Sequence, residues 1–138
     1  MKKIFFSILS LFLAVSVIAQ STLDPNARKA ADEMIEIYDL DEKQSATALE
    51  IQERRYRNIA EIASLESTDK DLYRHKYKAI LQSTDASLRR MLNEGQMAIY
   101  NQRKMDLRER KAAKTAELKE QGLSMTEIEN ALLEMDKN

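Results

Sequence analysis

Apolar positions recur at three- and four-residue intervals along the chain beyond residue 24, the period of amphipathic helices rather than the two-residue alternation of strands. Ala31, Met34, Ile35 and Tyr38 form the first such stripe. Asp24-Pro25 stands ahead of it, an N-cap carboxylate followed by a proline at the first helical position, where its missing N–H is no loss. The pattern therefore predicts a helix from Pro25 to about Tyr38. Leu49, Gln52, Tyr56, Ile59 and Ala63, with Ile51 and Ile62 beside them, predict a second helix reaching about Leu65. Tyr73, Tyr77, Ile80, Thr84, Leu88 and Met91 predict a third over 69–91, capped by Ser67 or Thr68. Met97, Tyr100 and Leu107 predict a fourth from Glu94 to about Gln121, with Gly122 as its terminating glycine. Beyond Leu107 this helix becomes rich in Arg, Lys, Ala and Glu, so its far end either projects into solvent or packs on a partner. Ile128, Leu132 and Met135 predict a short last helix. Strand-like alternation and hairpin turn pairs are missing. The expected fold is all-α.

Two of these helices open on one phrase. Leu40-Asp-Glu-Lys-Gln44 and Leu92-Asn-Glu-Gly-Gln96 each write leucine, a short polar residue, two further residues and glutamine. Asp41 or Asn93 can accept from the backbone N–H three residues on, while the side chain of Gln44 or Gln96 reaches back to the cap's own N–H. That reciprocal pair is a capping box. In the second copy Leu92 and Met97 have the spacing of a hydrophobic staple; in the first, Ser45 takes the equivalent place. Leu123-Ser-Met-Thr-Glu127 makes a third box, with Leu123 and Ile128 as its staple.

The amino terminus follows a different rule. Met1-Lys2-Lys3 precedes an apolar run from Ile4 to Ile18, about 15 residues and so shorter than the ~20 that span a bilayer. With Val17 and Ala19 as short residues ahead of the cut, residues 1–19 read as a signal peptide cleaved between Ala19 and Gln20. The expectation is an exported protein, periplasmic in a two-membrane bacterium, with no permanent membrane anchor. The chain has no cysteine, so a lipid-anchor cysteine, a disulfide framework and a thiol nucleophile are all excluded. All three phenylalanines fall within 1–19. What remains, residues 20–138, suits a single domain, with 108–138 as a C-terminal extension that either folds back on the body or stays mobile. A third of the chain is charged, with two glycines and one proline: the composition of long helices with exposed polar faces rather than a thick core. So little buried area makes a homodimer the expected state.

The net charge of −1 conceals a layout. Residues 20–53 hold nine acids and three bases, residues 54–114 fifteen bases and eight acids, residues 115–138 six acids and two bases. A basic middle attracts acidic partners, or pairs with the acidic ends of a second copy. Nucleic acid is excluded as a partner by export and by tyrosines at helical core spacing. Catalytic chemistry finds little to work with. His75, the one histidine, sits among Arg74, Lys76 and Lys78 and reads as a solvated surface residue. Zinc ligands at short spacing are missing, the methionines fall mostly on apolar stripes, and no glycine-rich phosphate loop occurs. The expectation is no enzyme, no metal and no cofactor. What is left is surface: Arg54, Arg55, Arg57, Arg74, Lys76, Lys78, Arg89, Arg90, Arg103 and Lys104, interleaved with Tyr56, Tyr73, Tyr77 and Tyr100, could gather on one face. From this set Arg54, Arg55, Tyr56, Tyr73, Tyr77, Arg89, Arg90 and Tyr100 are the candidate polypeptide-binding residues. Against that reading, the same charges could merely solvate the helices.

The paired motifs, some fifty residues apart behind a signal peptide in a small cysteine-free helical chain, resemble the Spy/CpxP family of LTxxQ-motif periplasmic proteins. The likeness covers roughly Ile35 to Arg110, with Leu40, Asp41, Gln44, Leu92, Asn93 and Gln96 as the motif residues. Asp41 and Asn93 depart from the family's usual threonine, though both are good caps. The resemblance implies a thin, elongated protomer of four to five helices built on a long helical hairpin, dimerising antiparallel into a cradle. It further implies an ATP-independent chaperone that loosely holds unfolded or partly folded envelope proteins on a basic, partly apolar face. The alternative it leaves open is a regulatory module bound to one dedicated envelope partner, such as a stress sensor kinase.

Overall fold

A computed structural model describes residues 24–137, so the predicted signal peptide lies outside the described residues. Six helices follow one another: α1 (Pro25–Tyr38), α2 (Glu42–Ile62), the single turn α3 (Leu65–Thr68), α4 (Lys70–Met91), α5 (Glu94–Glu120) and α6 (Met125–Lys137). No strand occurs among the described residues. The chain is all-α.

The boundaries have local chemical causes. Asp24 caps α1 by accepting from the Asn26 N–H at 2.8 Å, with Pro25 next in line. α1 ends at Asp39, which takes the left-handed conformation (φ 51°) and lets the Leu40 N–H turn back to the Ile35 carbonyl at 3.1 Å. Both glutamine capping boxes form. Asp41 and Asn93 accept from the N–H of Gln44 and Gln96 at 2.8 and 3.0 Å, and the glutamine side chains accept from the cap N–H groups at 3.2 and 3.0 Å. α5 closes on Gly122 at φ 79°, whose N–H reaches Lys119, while that of Leu123 reaches Leu118; this is the two-bond Schellman ending. The Ser124–Glu127 box then starts α6.

Two boundaries correct the sequence pattern. α2 stops at Ile62, leaving Ala63 exposed, and its buried stripe is turned toward Ala48, Ile51, Gln52 and Ile62. The cap of α4 is Asp69, accepting from the Leu72 N–H at 3.0 Å, not Ser67 or Thr68. Those two are already wound into α3, and their hydroxyls donate back to the Ser64 carbonyl.

α2 and α4 pack antiparallel: Gln44 lies beside Met91, Arg54 beside Ser87, and Ile62 in one cluster with Tyr73. Apolar burial is divided between two clusters. At the motif end, Met34, Tyr38, Leu40, Ala48, Leu92 and Tyr100 pack together, so both motif leucines anchor their turns in one core. At the other end, Ile62, Tyr73, Tyr77 and Ile80 receive Leu133 from α6. Burying side chains of this size contributes roughly 1.5–3 kcal/mol each, so the loss of one matters in a core this thin. The C-terminal segment therefore folds back on the body. Leu133 rather than Leu132 is its deeply buried leucine, and the far end of α5 buries Leu118.

Candidate functional site

Between the two apolar clusters the facing surfaces of α2 and α4 turn polar. Gln52, only 3% exposed, directs its amide at the Met34 sulfur at 3.0 Å. Buried Thr84 returns its hydroxyl to the Ile80 carbonyl at 2.9 Å. Beside it stands Asp85, four residues from Leu81 and three from Leu88, which places a carboxylate on the edge of the apolar stripe. It joins α4 to α5: the Tyr100 hydroxyl and the Lys104 ammonium, the latter at 2.8 Å, donate to the same Asp85 oxygen. Burial alone would raise the Asp85 pKa. The hydrogen bonds from Lys104 and Tyr100 and the charge of Lys104 outweigh it, holding the carboxyl below its usual range. The Tyr100 phenol is pushed up, first by burial and then by its bond to Asp85. Tyr38 is likewise raised by burial, with nearby Arg103 opposing the shift.

Above this junction, α5 and α4 enclose an open groove of about 610 Å³. Buried Tyr38 and Tyr100 with half-buried Leu88 and Leu107 form its floor, and exposed Arg103 and Arg110 stand on its α5 rim with Asp106 between them. The groove runs on into a hollow of about 310 Å³ where Gln52, Arg55, Leu81 and Thr84 meet Met135 and Asp136 of α6. Arg89, close enough to Asp85 to lower its pKa, belongs to a shallower hollow with Ala86, Arg90 and Met97. A partly apolar floor under a mixed rim, where the cations Arg103, Lys104 and Arg110 outnumber the carboxylates Asp85 and Asp106, can hold a polypeptide segment that offers apolar side chains and carboxylates together. The arms of Arg103 and Arg110 add apolar cover as well as charge.

The structure separates the residues that the sequence groups. Arg54 and Arg90 converge on the Ser87 hydroxyl at 2.8 and 3.2 Å and remain exposed, as does Arg89. Arg55 is half-buried under α6, with its guanidinium 5.4 Å from the ring centre of half-buried Tyr56. Tyr73 and Tyr77 are core residues with ring centres 5.7 Å apart, and Tyr100 is buried in the motif cluster. Arg74 is 9% exposed and bonded to Asp71 and to Glu129 and Asn130 of α6. Tyr73, Tyr77 and Arg74 therefore do not form an open surface, and Tyr100 meets solvent only through the small part of it that lines the groove. The reason is that Tyr73 and Tyr77 lie on the inner face of α4, where α6 covers what α2 leaves bare, whereas Tyr100 of α5 packs into the motif cluster. Sequence reasoning left Asp85 and Arg110 out of the site and read Tyr38, Leu88 and Leu107 only as residues of apolar stripes. The available signal was Asp85 itself, the single acid between Asp71 and Glu94, set on an apolar edge where it calls for a cation. His75 is exposed on the opposite side of the helix from the tyrosines. Among the described residues, no group of three or more His, Cys, Asp or Glu side chains could hold a metal ion, and no helix is long and apolar enough to cross a membrane.

The motif glutamines do more than cap. Gln44 Nε2 donates to Gln96 Oε1 at 2.7 Å and Gln96 Nε2 donates to Gln44 Oε1 at 3.0 Å. Their second amide protons go to the opposite turns, Gln44 to the Met91 carbonyl at 3.1 Å and Gln96 to the Asp39 carbonyl at 3.3 Å. Each amide thus uses both donors and both acceptor positions, and the two copies lock one another in a pseudo-twofold arrangement.

No family model matches the chain, and neither a curated protein nor a solved structure matches it.

Proposed function

We propose that this chain is a periplasmic, ATP-independent chaperone-like protein of the Spy/CpxP type. It acts without catalysis, metal or cofactor, and holds unfolded or partly folded envelope polypeptides loosely. The observation that carries the reading is the α4–α5 groove, whose floor of Tyr38, Leu88, Tyr100 and Leu107 lies under the cations Arg103 and Arg110. Charge on the rim speeds encounter, and an open, only partly apolar floor keeps residence short, the combination a transient holder needs. The mutual locking of the two LTxxQ-like turns supports the family assignment, because it gives the repeated glutamine a role that one isolated capping box does not require. The active form in this reading is a homodimer that presents two such grooves.

The test is light scattering of an aggregating client mixed with the purified 20–138 chain, without nucleotide. Suppression at a few-fold excess is expected, and Arg103→Glu with Arg110→Glu should weaken it at least severalfold while helicity is unchanged. Unabated aggregation at tenfold excess would sink the chaperone reading. A pull-down that returns one stoichiometric envelope protein would instead favour the alternative of a regulator dedicated to a single partner.

A further inference from the structure

The basic middle of the chain already holds an acidic segment: its own α6. Arg74 of α4, almost fully buried, binds the Asn130 carbonyl oxygen of the side chain at 3.3 Å and the Glu129 carboxylate at 3.4 Å. Lys111 of α5 pairs with the Asp136 carboxylate. Ile128 and Leu133 are the apolar anchors, Leu133 entering the cluster formed by Ile62, Tyr73, Tyr77 and Ile80. One part of this seat fits badly. Arg55 reaches the Asp136 backbone carbonyl only at 3.4 Å and Gln52 at 3.5 Å, and its Nε is buried without a hydrogen-bond partner among the described residues. A guanidinium that meets a carbonyl where its fork would suit a carboxylate is under-satisfied, so α6 is a less than optimal occupant. The connection that carries α6 is the short turn around Gly122, so α6 joins the rest of the chain at one end only.

We infer that the seat of α6 on α2, α4 and α5 is an exchangeable binding surface whose external ligand is an amphipathic helix, acidic along its polar edge, with α6 as the built-in competitor. The ligand presents apolar anchors at the spacing of Ile128 and Leu133 and carboxylates opposite Arg74, Lys111 and Arg55, the last of which α6 does not supply. This goes beyond the chaperone reading, which concerns the α4–α5 groove, and the two fail separately.

The probe is a fluorescent synthetic peptide of residues 125–137, titrated against the full-length mature chain by anisotropy. Leu133→Ala, which loosens the chain's own α6, should tighten capture at least tenfold over the unmodified protein. Replacing Glu129 and Asp136 in the peptide by Gln and Asn should weaken capture at least fivefold. Because the chain has no cysteine, Glu66→Cys and Lys137→Cys can be joined by a short bismaleimide across the position of their present 2.8 Å ion pair, and the locked chain should not take the peptide. No capture by the Leu133→Ala chain, or capture that survives the cross-link, overturns the inference. A cross-link forming between two chains rather than within one assigns the seat to a second copy and overturns it as well. A locked chain that still suppresses client aggregation leaves the chaperone reading intact; capture without any suppression removes the chaperone reading and leaves this one.

Discussion

At the scale of single residues, Gln44 and Gln96 explain why the motif ends in glutamine and not another cap partner. Glutamate could accept from the cap N–H but could not donate across to the opposite turn, and asparagine is one methylene short. Because each amide bonds the other, their contributions should not add. Replacing either by alanine is expected to cost about 1–2 kcal/mol, and the double substitution markedly less than the sum, leaving a coupling of about 1 kcal/mol in a denaturant-melt cycle. Additive costs would show two independent caps. The two glycines separate in the same way. Gly95 lies in the first turn of α5, where an added Cβ meets only Asn93 Oδ1 at an ordinary 3.6 Å. Gly95→Ala should therefore gain about 0.5 kcal/mol. Gly122 has open space around it but a φ of 79°, so Gly122→Ala should lose about 1 kcal/mol. Equal effects at the two sites would contradict this reading of the α5 termini.

At the scale of elements, the legible features are those whose causes lie within one turn of helix. Asp24-Pro25, the three boxes and Gly122 placed helix ends correctly because a cap and its target are at most a few residues apart. What the pattern could not give was long-range pairing. Arg74 reads as one more base in Arg74-His75-Lys76, and only a helix beginning fifty residues later turns it inward. The same limit moved Tyr73, Tyr77 and Tyr100 from an imagined surface to the core: their spacing marks an apolar face without saying whether another helix covers it. The all-α class was legible, and the groove was not, since its floor draws on α1, α4 and α5. The joint between α4 and α5 carries a pH signature of its own. A carboxyl held below its unfolded value contributes stability above that value and loses it as pH falls through the folded one. Asp85 should thus support the fold at neutral pH and begin to lose that role only as pH falls below about 4. The stability gap between the native chain and Asp85→Asn is expected to stay level from pH 7 down to about pH 5 and to narrow below that toward pH 2. A constant gap would mean that Asp85 acts by shape and not by charge.

At the scale of the whole molecule, two apolar clusters separated by the polar layer of Gln52, Thr84 and Asp85 make a protein of unequal halves. The motif half is bound by local caps, by the glutamine pair and by both leucine anchors. The other half depends on α6, held through Ile128, Leu133 and ion pairs that water reaches in part: Lys137 to Glu66 and Glu134, and Lys111 to Asp136. The acidic end of the sequence thus neutralises the basic middle of the same chain, a pairing distinct from the acidic partner or second copy that the charge layout suggested. Partly solvated pairs contribute about 1 kcal/mol or less, so α6 and the start of α4 should open at lower free energy than the motif half. Hydrogen exchange is expected to reveal that order, with the amides of 125–137 exchanging first and those of α1 and the beginning of α2 last. Leu133→Ala removes a buried side chain from one half only, at a cost of roughly 2–4 kcal/mol. It should speed exchange in α6 and in residues 70–80 while leaving the turns at Leu40 and Leu92 protected. Leu92→Ala, which strikes the cluster that joins α1, α2 and α5, should lower protection everywhere. If both substitutions lowered protection uniformly, the molecule would be one cooperative unit, and α6 could not leave its seat without unfolding the rest.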